Sequence, residues 1–391
     1  MFVASAIIFT IGIGFLNRWL LMKANHKIWE KNFLKIIAKL LPYIIFIFAL
    51  LWWWGSEQNI PWLRTTGASV TSIALILNLY LVISLPFSLI TELLFKTTAK
   101  RKKTNNSLDP SRRLFLKTSA AFVPALALTG TVSGFASSFS QTRFPQIKIA
   151  YKNLPAALDG LKILHLSDLH LGYYFNLNTL EQTLTDAEKY NADIVLVTGD
   201  IADDLSMMTG AMKLIDQLNT PYDKFVSVGN HEYFRGIKQS IKNIEAGPIP
   251  LLLNSHHTIA VKGAKITIGG ADDPVHMRSN IQGFLDNTIS RTFTNAPNAD
   301  FRILMSHRPK ALDLAKKYNI DLTLSGHTHG GQVGLAGRSF WEIFNENSYL
   351  WGLYTKGNAR LYTSAGMGHW FPYRLNCPLE APLITLVKAK S

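Results

Sequence analysis

The sequence has very little cysteine: Cys377 is the only one among 391 residues. One thiol forms no disulfide within the chain and no cluster of thiolate metal ligands. A metal site in this chain must therefore use nitrogen and oxygen ligands. A lone cysteine also carries no information about the redox compartment.

Acidic residues are scarce in the first part of the chain. Residues 1–144 contain 16 Lys and Arg against 4 Asp and Glu, a net charge of +12, whereas residues 145–391 contain 24 against 22, a net charge of +2. The basic residues flank apolar runs, where Lys and Arg report membrane orientation rather than binding to a phosphate backbone. The net charge of +14 for the whole chain therefore gives no support for a nucleic-acid partner.

Long uncharged runs in the first part predict a three-span transmembrane region over residues 1–95. The runs are Phe2–Leu16, Leu40–Trp54 and Ala68–Ile90, and the last, at 23 residues, is long enough to cross a membrane with some tilt. Buried core helices are the alternative. Because Lys- and Arg-rich loops stay in the cytoplasm, residues 96–117 are expected inside. We therefore expect a multi-pass protein of the inner (cytoplasmic) membrane with an extracytoplasmic catalytic domain.

A basic linker, residues 96–144, is predicted to follow. Its segment Ser111–Lys117 has the sequence S-R-R-L-F-L-K, which resembles a twin-arginine export signal. The alternative is a basic anchor before a fourth helix. Both interpretations place residues 145–391 outside the cytoplasm, and both leave open whether residues 118–142 are retained or cleaved.

From residue 145 onward, apolar strand-like runs alternate with helical patterns, which predicts a layered α/β domain over residues 145–391. The predicted strands are Leu161–Leu166, Asp193–Thr198, Lys224–Val228, Leu251–Leu253, Thr258–Val261, Lys265–Ile268, Phe301–Met305, Asp321–Leu324, Leu361–Thr363 and Pro382–Val387. The predicted helices are Leu177–Tyr190, Leu205–Leu218, Ile237–Glu245 and Lys310–Tyr318. A domain of this length can bury a sizeable core.

Five of the predicted strands run into residues that can bind a metal ion. These residues are Asp168 and His170, Asp200, Asn230 and His231, His307, and His327 and His329. In α/β sheets, ligands gather at the carboxyl ends of strands, and five such ends are poorly explained as ordinary core histidines. The sequence therefore predicts a metal site where these strands end.

The segment Gly326–Gln332 shows the pattern most clearly. Residues i and i+2 of an extended chain point to the same side, so His327 and His329 are expected to reach one small volume. Its glycines allow close approach of the backbone, and we expect them to keep side chains away from a bound phosphate.

The strand-end motifs resemble those of the calcineurin-like metallophosphoesterases over residues 160–390. The matching motifs are Asp168-x-His170, Gly199-Asp200, Gly229-Asn230-His231-Glu232, His307 and Gly326-His327-Thr328-His329. Glu232 stands where many members of that family have Asp. The segment Ser364–Pro378 resembles the bacterial membrane-associated or exported branch of the family. The resemblance implies a four-layer αββα metallophosphoesterase sandwich, here preceded by an α-helical transmembrane region.

The resemblance also implies two divalent metal ions. It assigns Asp168, His170 and His329 to one metal, and Asn230, His307 and His327 to the other. Asp200 is the natural bridge, because a shared carboxylate offsets the repulsion between two close cations. Nitrogen and oxygen ligands without thiolates suit Mn, Fe or Zn.

The catalytic residues expected from this site are His231, Asn230 and Asp200. By resemblance, His231 is not a ligand but donates a proton or a hydrogen bond to the leaving oxygen, while Asn230 both binds metal and orients the substrate. A water shared by two such cations loses its proton near neutral pH and attacks phosphorus.

The expected function is that of a membrane-anchored phosphoesterase acting on a phosphomonoester, a phosphodiester or a lipid-linked phosphate. The alternatives are a pyrophosphate hydrolase acting on UDP-2,3-diacylglucosamine in lipid A synthesis, and a non-catalytic scaffold with the same fold. Arg308, Arg374 and His369 are candidates to meet a phosphate or sugar, or else are solvated. The pair Asp272–Asp273 either supports the site or forms an acidic turn. The oligomeric state is left open.

Overall fold

The computed structural model describes residues 11–16, 18–19, 32–58, 60–101, 126, 129–275 and 280–389. The chain divides into two compact units. The first comprises residues 1–136 and 371–373, and the second comprises residues 137–370 and 374–391.

The first unit contains two long helices, α1 (Asn32–Glu57) and α2 (Pro61–Arg101). Within the described ranges, no helix combines the length and the apolar character that are needed to cross a membrane. The predicted transmembrane region is therefore unsupported, and the predicted multi-pass location in the inner membrane is wrong. The prediction rested on absence of charge, but the run Ala68–Ile90 also carries polar side chains, such as the buried Ser72 and Asn78.

Two sequence predictions fall largely or wholly on residues that the structure does not describe. Most of the first predicted span, Phe2–Leu16, lies outside the described ranges, and so does the whole segment Ser111–Lys117 that resembles an export signal.

The second unit is a mixed α/β structure. Its helices are α3 (Leu177–Glu188), α4 (Met208–Asp216), α5 (Asn230–Arg235), α6 (Ile237–Glu245) and α7 (Ile281–Thr292). Its strands are β1 (Gln146–Tyr151), β2 (Lys162–Leu166), β3 (Ile194–Thr198), β4 (Lys224–Ser227), β5 (Ser255–Val261), β6 (Ala264–Gly270), β7 (Phe301–Met305), β8 (Leu322–Ser325), β9 (Gly334–Leu335), β10 (Arg338–Ser339), β11 (Gly352–Lys356), β12 (Ala359–Thr363) and β13 (Leu383–Lys388).

The strands form two main sheets. The first has the order β1-β13-β2-β3-β4, and the second has the order β11-β12-β8-β7-β6-β5; β9 and β10 form a separate pair. Strands β2, β3 and β4 are mutually parallel, as are β6, β7, β8 and β12. The carboxyl ends of the strands in each set therefore lie at one edge of their sheet.

Three buried clusters show how the layers pack. One cluster joins residues of both sheets, such as Ile163 on β2 and Ile303 on β7. A second places the opposite face of the first sheet against helices α3, α4 and α6, and a third places the opposite face of the second sheet against α7. Adjacent residues such as Ile163 and Leu164 enter different clusters because side chains alternate along a strand. The mixed α/β sheets agree with the predicted fold.

Two predicted elements have different structures. Leu251–Leu253 is not a strand, although Leu251 makes an isolated bridge to Val226. The segment Lys310–Tyr318 was predicted as an α-helix, but the structure has a 3-10 helix over Pro309–Leu314.

Candidate metal centre

All eight predicted site residues follow the carboxyl ends of parallel strands. Asp168 and His170 follow β2, Asp200 follows β3, Asn230 and His231 follow β4, His307 follows β7, and His327 and His329 follow β8. A hydrogen bond joins the two sheets here, since His307 Nδ1 donates to the carbonyl oxygen of Thr198 at 2.8 Å. Parallel strands in two packed sheets therefore bring these distant segments together.

The first group of converging ligand atoms belongs to Asp168, His170 and His329, which are all buried. His329 Nε2 lies 3.5 Å from Asp168 Oδ1 and 3.1 Å from His170 Nε2. Two ring nitrogens that face each other at this distance, beside a carboxylate, are arranged as ligands of one cation.

A second group of ligand atoms belongs to Asp200, His307 and His327. His307 Nε2 lies 3.1 Å from Asp200 Oδ2. The same oxygen lies 3.7 Å from Nε2 of His170, a member of the first group. One carboxylate oxygen of Asp200 therefore faces both groups.

The structure corrects the predicted geometry of the two histidines after β8. The strand ends at Ser325, before either histidine, and the backbone φ angles of His327 and His329 are 72° and 49°. The extended-chain argument therefore does not apply, and the side chains join two different groups rather than one.

Hydrogen bonds fix which nitrogen of two histidines faces the centre. His307 Nδ1 donates to a carbonyl oxygen, and His170 Nδ1 donates to Asp203 Oδ2 at 3.2 Å. In each ring the lone pair of the neutral form is then on Nε2, which points into its group of ligand atoms. Such partners on the second nitrogen are typical of metal-binding histidines.

Asp203 is a member of the site that sequence reasoning missed. Its buried carboxylate accepts hydrogen bonds from His170 Nδ1 and from His231 Nδ1, the latter at 2.7 Å. Arg235 adds two donors to Asp203 Oδ1, at 3.0 and 3.1 Å. The available signal was an aspartate three residues after Asp200, separated from it by two apolar residues.

Glu232, at the position where the sequence departs from the usual family motif, is buried and joins two loops. Its carboxylate accepts from the backbone N–H groups of Gly229 at 2.7 Å, Asp200 at 3.0 Å and Ile201 at 2.8 Å. The loop after β3 and the start of α5 are thereby held together. The longer side chain serves this role without entering the groups of ligand atoms.

The charges at the centre favour a cation. Burial alone would raise the pKa of Asp200, but the neighbouring His307 and His231 hold it well below its usual range. Burial alone would lower the pKa of His307, but the carboxylates of Asp200 and Asp168 raise it to about 10. The carboxylates therefore stabilise positive charge here, either as a proton on His307 or as a metal ion.

One buried polar atom tests whether these residues fit metal ions. Asn230 Oδ1 has no hydrogen-bond partner among the described residues, whereas His307 Nε2 lies 3.1 Å from Asp200 Oδ2. A buried acceptor without a partner is costly unless something else satisfies it. The converging Asp and His atoms form clusters able to bind metal ions, and their nitrogen and oxygen donors fit divalent cations.

The glycines of Gly326–Gln332 have a packing role that is separate from the predicted one. A Cβ at Gly326 would overlap Ser167 and Asp168, and one at Gly330 would overlap Cys377. These glycines are needed because other parts of the protein pack against them; the expectation that they keep side chains away from a bound phosphate stays a prediction.

The three further candidates occupy different environments. Arg374 is fully buried and donates to Ala365 O, Gly368 O and His329 Nδ1. His369 is buried and stacks on Tyr174. Arg308 is partly exposed and pairs with the buried Asp273. Arg374 therefore contacts the His329 ring from a buried position, while Arg308 is the arginine of this pair that reaches solvent.

Comparison with known proteins gives matches over the same region. The sequence model of the family described as calcineurin-like phosphoesterase matches residues 161–331. The chain is 31% identical to the uncharacterized metallophosphoesterase YkuE of Bacillus subtilis, over 72% of this chain and 98% of the relative. It is 26% identical to a Danio rerio protein named transmembrane protein with metallophosphoesterase domain, over 68% of this chain and 63% of that protein. A solved dimetal phosphatase from Danio rerio matches with 10% identity and a TM-score of 0.32, covering 53% of this chain and 88% of that one.

Proposed function

Because this chain belongs to the calcineurin-like phosphoesterase family, and is therefore a metal-dependent phosphohydrolase, we propose that it hydrolyses a phosphomonoester or a phosphodiester at a two-metal centre. The observation that carries this proposal is the position of Asp200 Oδ2, 3.1 Å from His307 Nε2 and 3.7 Å from His170 Nε2. A single carboxylate oxygen between two groups of ligand atoms suits a bridge between two cations. Residues 145–391 would form the phosphoesterase domain, after the linker 96–144 and the first 95 residues.

All but one of the proposed ligands belong to the two groups. Asp168, His170 and His329 would hold one metal ion, and His307 and His327 the other, with Asp200 shared. Asn230, whose buried Oδ1 has no partner among the described residues, would complete the second set. Mn, Fe or Zn fits this donor set. When bound, the two cations would supply an activated water and neutralise charge on the phosphoryl oxygens.

The chain's own residues would control the proton that the leaving group needs. Burial alone would lower the pKa of His231, but the carboxylates of Asp200 and Asp203 raise it. The raised pKa favours the protonated imidazole, and the side chain retains an exposed fraction of 11%. His231 can thus donate a proton to the leaving oxygen, since Asp203 fixes Nδ1 and leaves Nε2 for the substrate.

The substrate class is tested by a hydrolysis screen on the full chain with manganese. We expect turnover of p-nitrophenyl phosphate or bis(p-nitrophenyl) phosphate. A UDP-linked diacylglucosamine pyrophosphate is the third substrate of the screen, because the alternative function would cleave it instead. If the chain cleaves only the pyrophosphate, the alternative function replaces the proposed one. If it turns over none of the three substrates, both functions are contradicted.

A variant of His231 tests the assigned chemistry. His231→Ala should retain bound manganese but lower kcat by roughly two to four orders of magnitude, because a positioned general acid contributes about that much. The exposed His257→Ala, on β5, is a matched control that should keep wild-type kcat. Full activity in the His231 variant would remove this residue from the mechanism.

A further inference from the structure

The guanidinium group of Arg308 is fixed beside the second group of ligand atoms. Arg308 Nε and Nη2 donate to the two carboxylate oxygens of Asp273, at 2.7 and 3.0 Å. The Asp273 side chain is fully buried, whereas that of Arg308 is 19% exposed. This two-point contact leaves one end of the guanidinium, Nη1, directed away from Asp273.

The loop after β6 holds Asp273 in place. Asp272 Oδ1 accepts from the backbone N–H of Asp273 at 2.8 Å and from the hydroxyl of Tyr233 at 2.6 Å. Tyr233 lies on α5, two residues after His231. The acidic pair is therefore a support for Arg308 rather than a solvated turn, and it is tied to the helix that carries the proposed proton donor.

The remaining nitrogen, Arg308 Nη1, lies 2.6 Å from His327 Nε2. A guanidinium only donates hydrogen bonds, so His327 Nε2 must accept with its lone pair. A neutral imidazole has one such lone pair, and its other nitrogen carries the proton. While this contact exists, His327 has no lone pair with which to bind a metal ion.

We infer that metal binding by His327 releases Nη1 of Arg308, and that the released end, still anchored on Asp273, binds a phosphoryl oxygen of the substrate. This inference rests on the proposed two-metal function. Because a planar guanidinium held at two points loses little freedom on binding an anion, it suits recognition of a phosphate oxygen. Arg308 would thus couple metal loading to substrate binding.

Arg374 makes a similar contact with the other histidine but does not suit this role. It is fully buried, and besides His329 Nδ1 at 2.9 Å it has two carbonyl acceptors, Ala365 O at 2.5 Å and Gly368 O at 2.8 Å. Nη1 and Nη2 of Arg374 therefore each keep a carbonyl acceptor without the contact with His329. Among the described residues, Arg308 Nη1 has His327 as its one acceptor, so loss of that contact leaves Nη1 able to donate to a new one.

Metal affinity is the first test. Calorimetric titration of the metal-free full chain with Mn²⁺ should show that the second equivalent binds about tenfold more tightly to Arg308→Ala than to wild type, because a charged hydrogen bond no longer has to be broken. Arg291→Ala removes one positive charge at an exposed position on α7 and is the matched control. It should bind both equivalents as wild type does.

Phosphate binding is the second test and does not depend on turnover. The affinity of the manganese-loaded chain for inorganic phosphate should fall about tenfold in Arg308→Ala, and KM for the nitrophenyl ester should rise similarly. Arg308→Gln keeps a polar contact for Asp273 without the positive charge. If the alanine variant fails to fold, Arg308→Gln replaces it in both tests, with the same expected results.

The outcomes separate this inference from the proposal on which it rests. A wild-type chain that holds fewer than two manganese ions contradicts both. If wild type holds two, then weaker manganese binding by the Arg308 variants, or unchanged phosphate affinity, overturns the role of Arg308 alone.

Discussion

Five of the eight residues predicted to form the centre have an unusual backbone conformation. Asp168, His170, Asp200, His327 and His329 have φ angles of 51°, 48°, 52°, 72° and 49°, in the left-handed region. Residues other than glycine adopt this region at a cost, and Asp and His are among the more tolerant. Such strain is kept where the surrounding structure fixes it, and it often marks functional sites. Nothing in the sequence pattern could indicate it, because it results from the packing of two sheets.

Asp203 should control the acidity of His231. Asp203→Asn removes a carboxylate that raises the pKa of His231. A raised pKa keeps the imidazole protonated to higher pH, so activity that needs this proton is lost as pH rises through that pKa. In the variant the alkaline limb of the pH–rate profile should move to lower pH, and kcat should fall about 10- to 100-fold.

The control for this prediction is the neighbouring Asp204→Asn. Asp204 caps the 3-10 helix that begins at Leu205. Asparagine is an equally good N-cap residue, so the pH–rate profile of Asp204→Asn should match that of wild type. An unmoved alkaline limb in Asp203→Asn would show that Asp203 does not act through His231.

His165 should make the metal-free protein sensitive to acid. The side chain is fully buried on β2, where Nε2 makes a hydrogen bond with Thr198 Oγ1. Nδ1 has no hydrogen-bond partner in the part of the chain that the structure describes. Burial lowers the pKa of His165 from 6.5 to about 3. Its contribution to stability is complete above pH 6.5, and is lost as pH falls towards 3, because the unfolded chain takes up a proton that the folded chain does not. Between pH 7 and pH 5, the free energy of unfolding of His165→Gln should therefore fall by roughly 2 kcal/mol less than that of wild type.

Urea unfolding in EDTA at the two pH values measures this difference. His257→Gln removes an exposed histidine and serves as the control. Equal pH dependence in wild type and His165→Gln would contradict the account of His165.

At the scale of elements, the interior strands were the most predictable part of the fold. The prediction of β7 as Phe301–Met305 is confirmed, and the predicted bounds of β2 and β3 differ from the observed ones by one residue. These strands are buried on both faces, so each is mainly apolar in sequence and is followed by Gly or Ser. The same ends located the site residues, because ligands collect where parallel strands stop.

Two edge strands, β1 and β11, were missed for a physical reason, whereas the edge strands β4 and β5 were predicted. Strand β1, Gln146–Tyr151, carries exposed polar residues between its apolar ones, and β11, Gly352–Lys356, has one buried residue, Tyr354. Only one face of such a strand is buried, so its hydrophobic signal is short and weak. Likewise, Asp203 and Asp273 were not assigned to His231 and Arg308, since those pairs depend on contacts between segments 28 and 35 residues apart.

Gly326, which separates β8 from the two histidines that follow it, provides a test at this scale. Gly326→Ala places a Cβ on Ser167 Oγ and Asp168 Oδ2, so the Asp168 carboxylate must move. We expect this variant to lose manganese from the group formed by Asp168, His170 and His329. Metal analysis of the purified protein measures the loss.

Gly263→Ala is the control for the alanine itself. Gly263 has a φ of 91° but open space around the position of a Cβ, so alanine there costs about 1 kcal/mol of stability without disturbing the site. It should retain full manganese. Full manganese in Gly326→Ala would mean that the close packing against Asp168 is not needed.

On the scale of the whole molecule, charge and function are separated along the chain. Residues 1–144 hold a net charge of +12, while both main sheets and all predicted site residues lie in the nearly neutral part. The buried clusters that support the sheets are likewise built from residues of the second unit. The basic excess therefore says little about the chemistry of the site.

A metal titration tests whether two metal ions share Asp200. Metal-free chain is titrated with Mn²⁺ while bound manganese and hydrolysis of the nitrophenyl ester are measured together. We predict that wild type binds two equivalents with hydrolysis rising on the second, and that Asp200→Ala, lacking the shared carboxylate, binds fewer and is inactive. Saturation and full activity at one equivalent, or two equivalents and activity in Asp200→Ala, would contradict the sharing of Asp200.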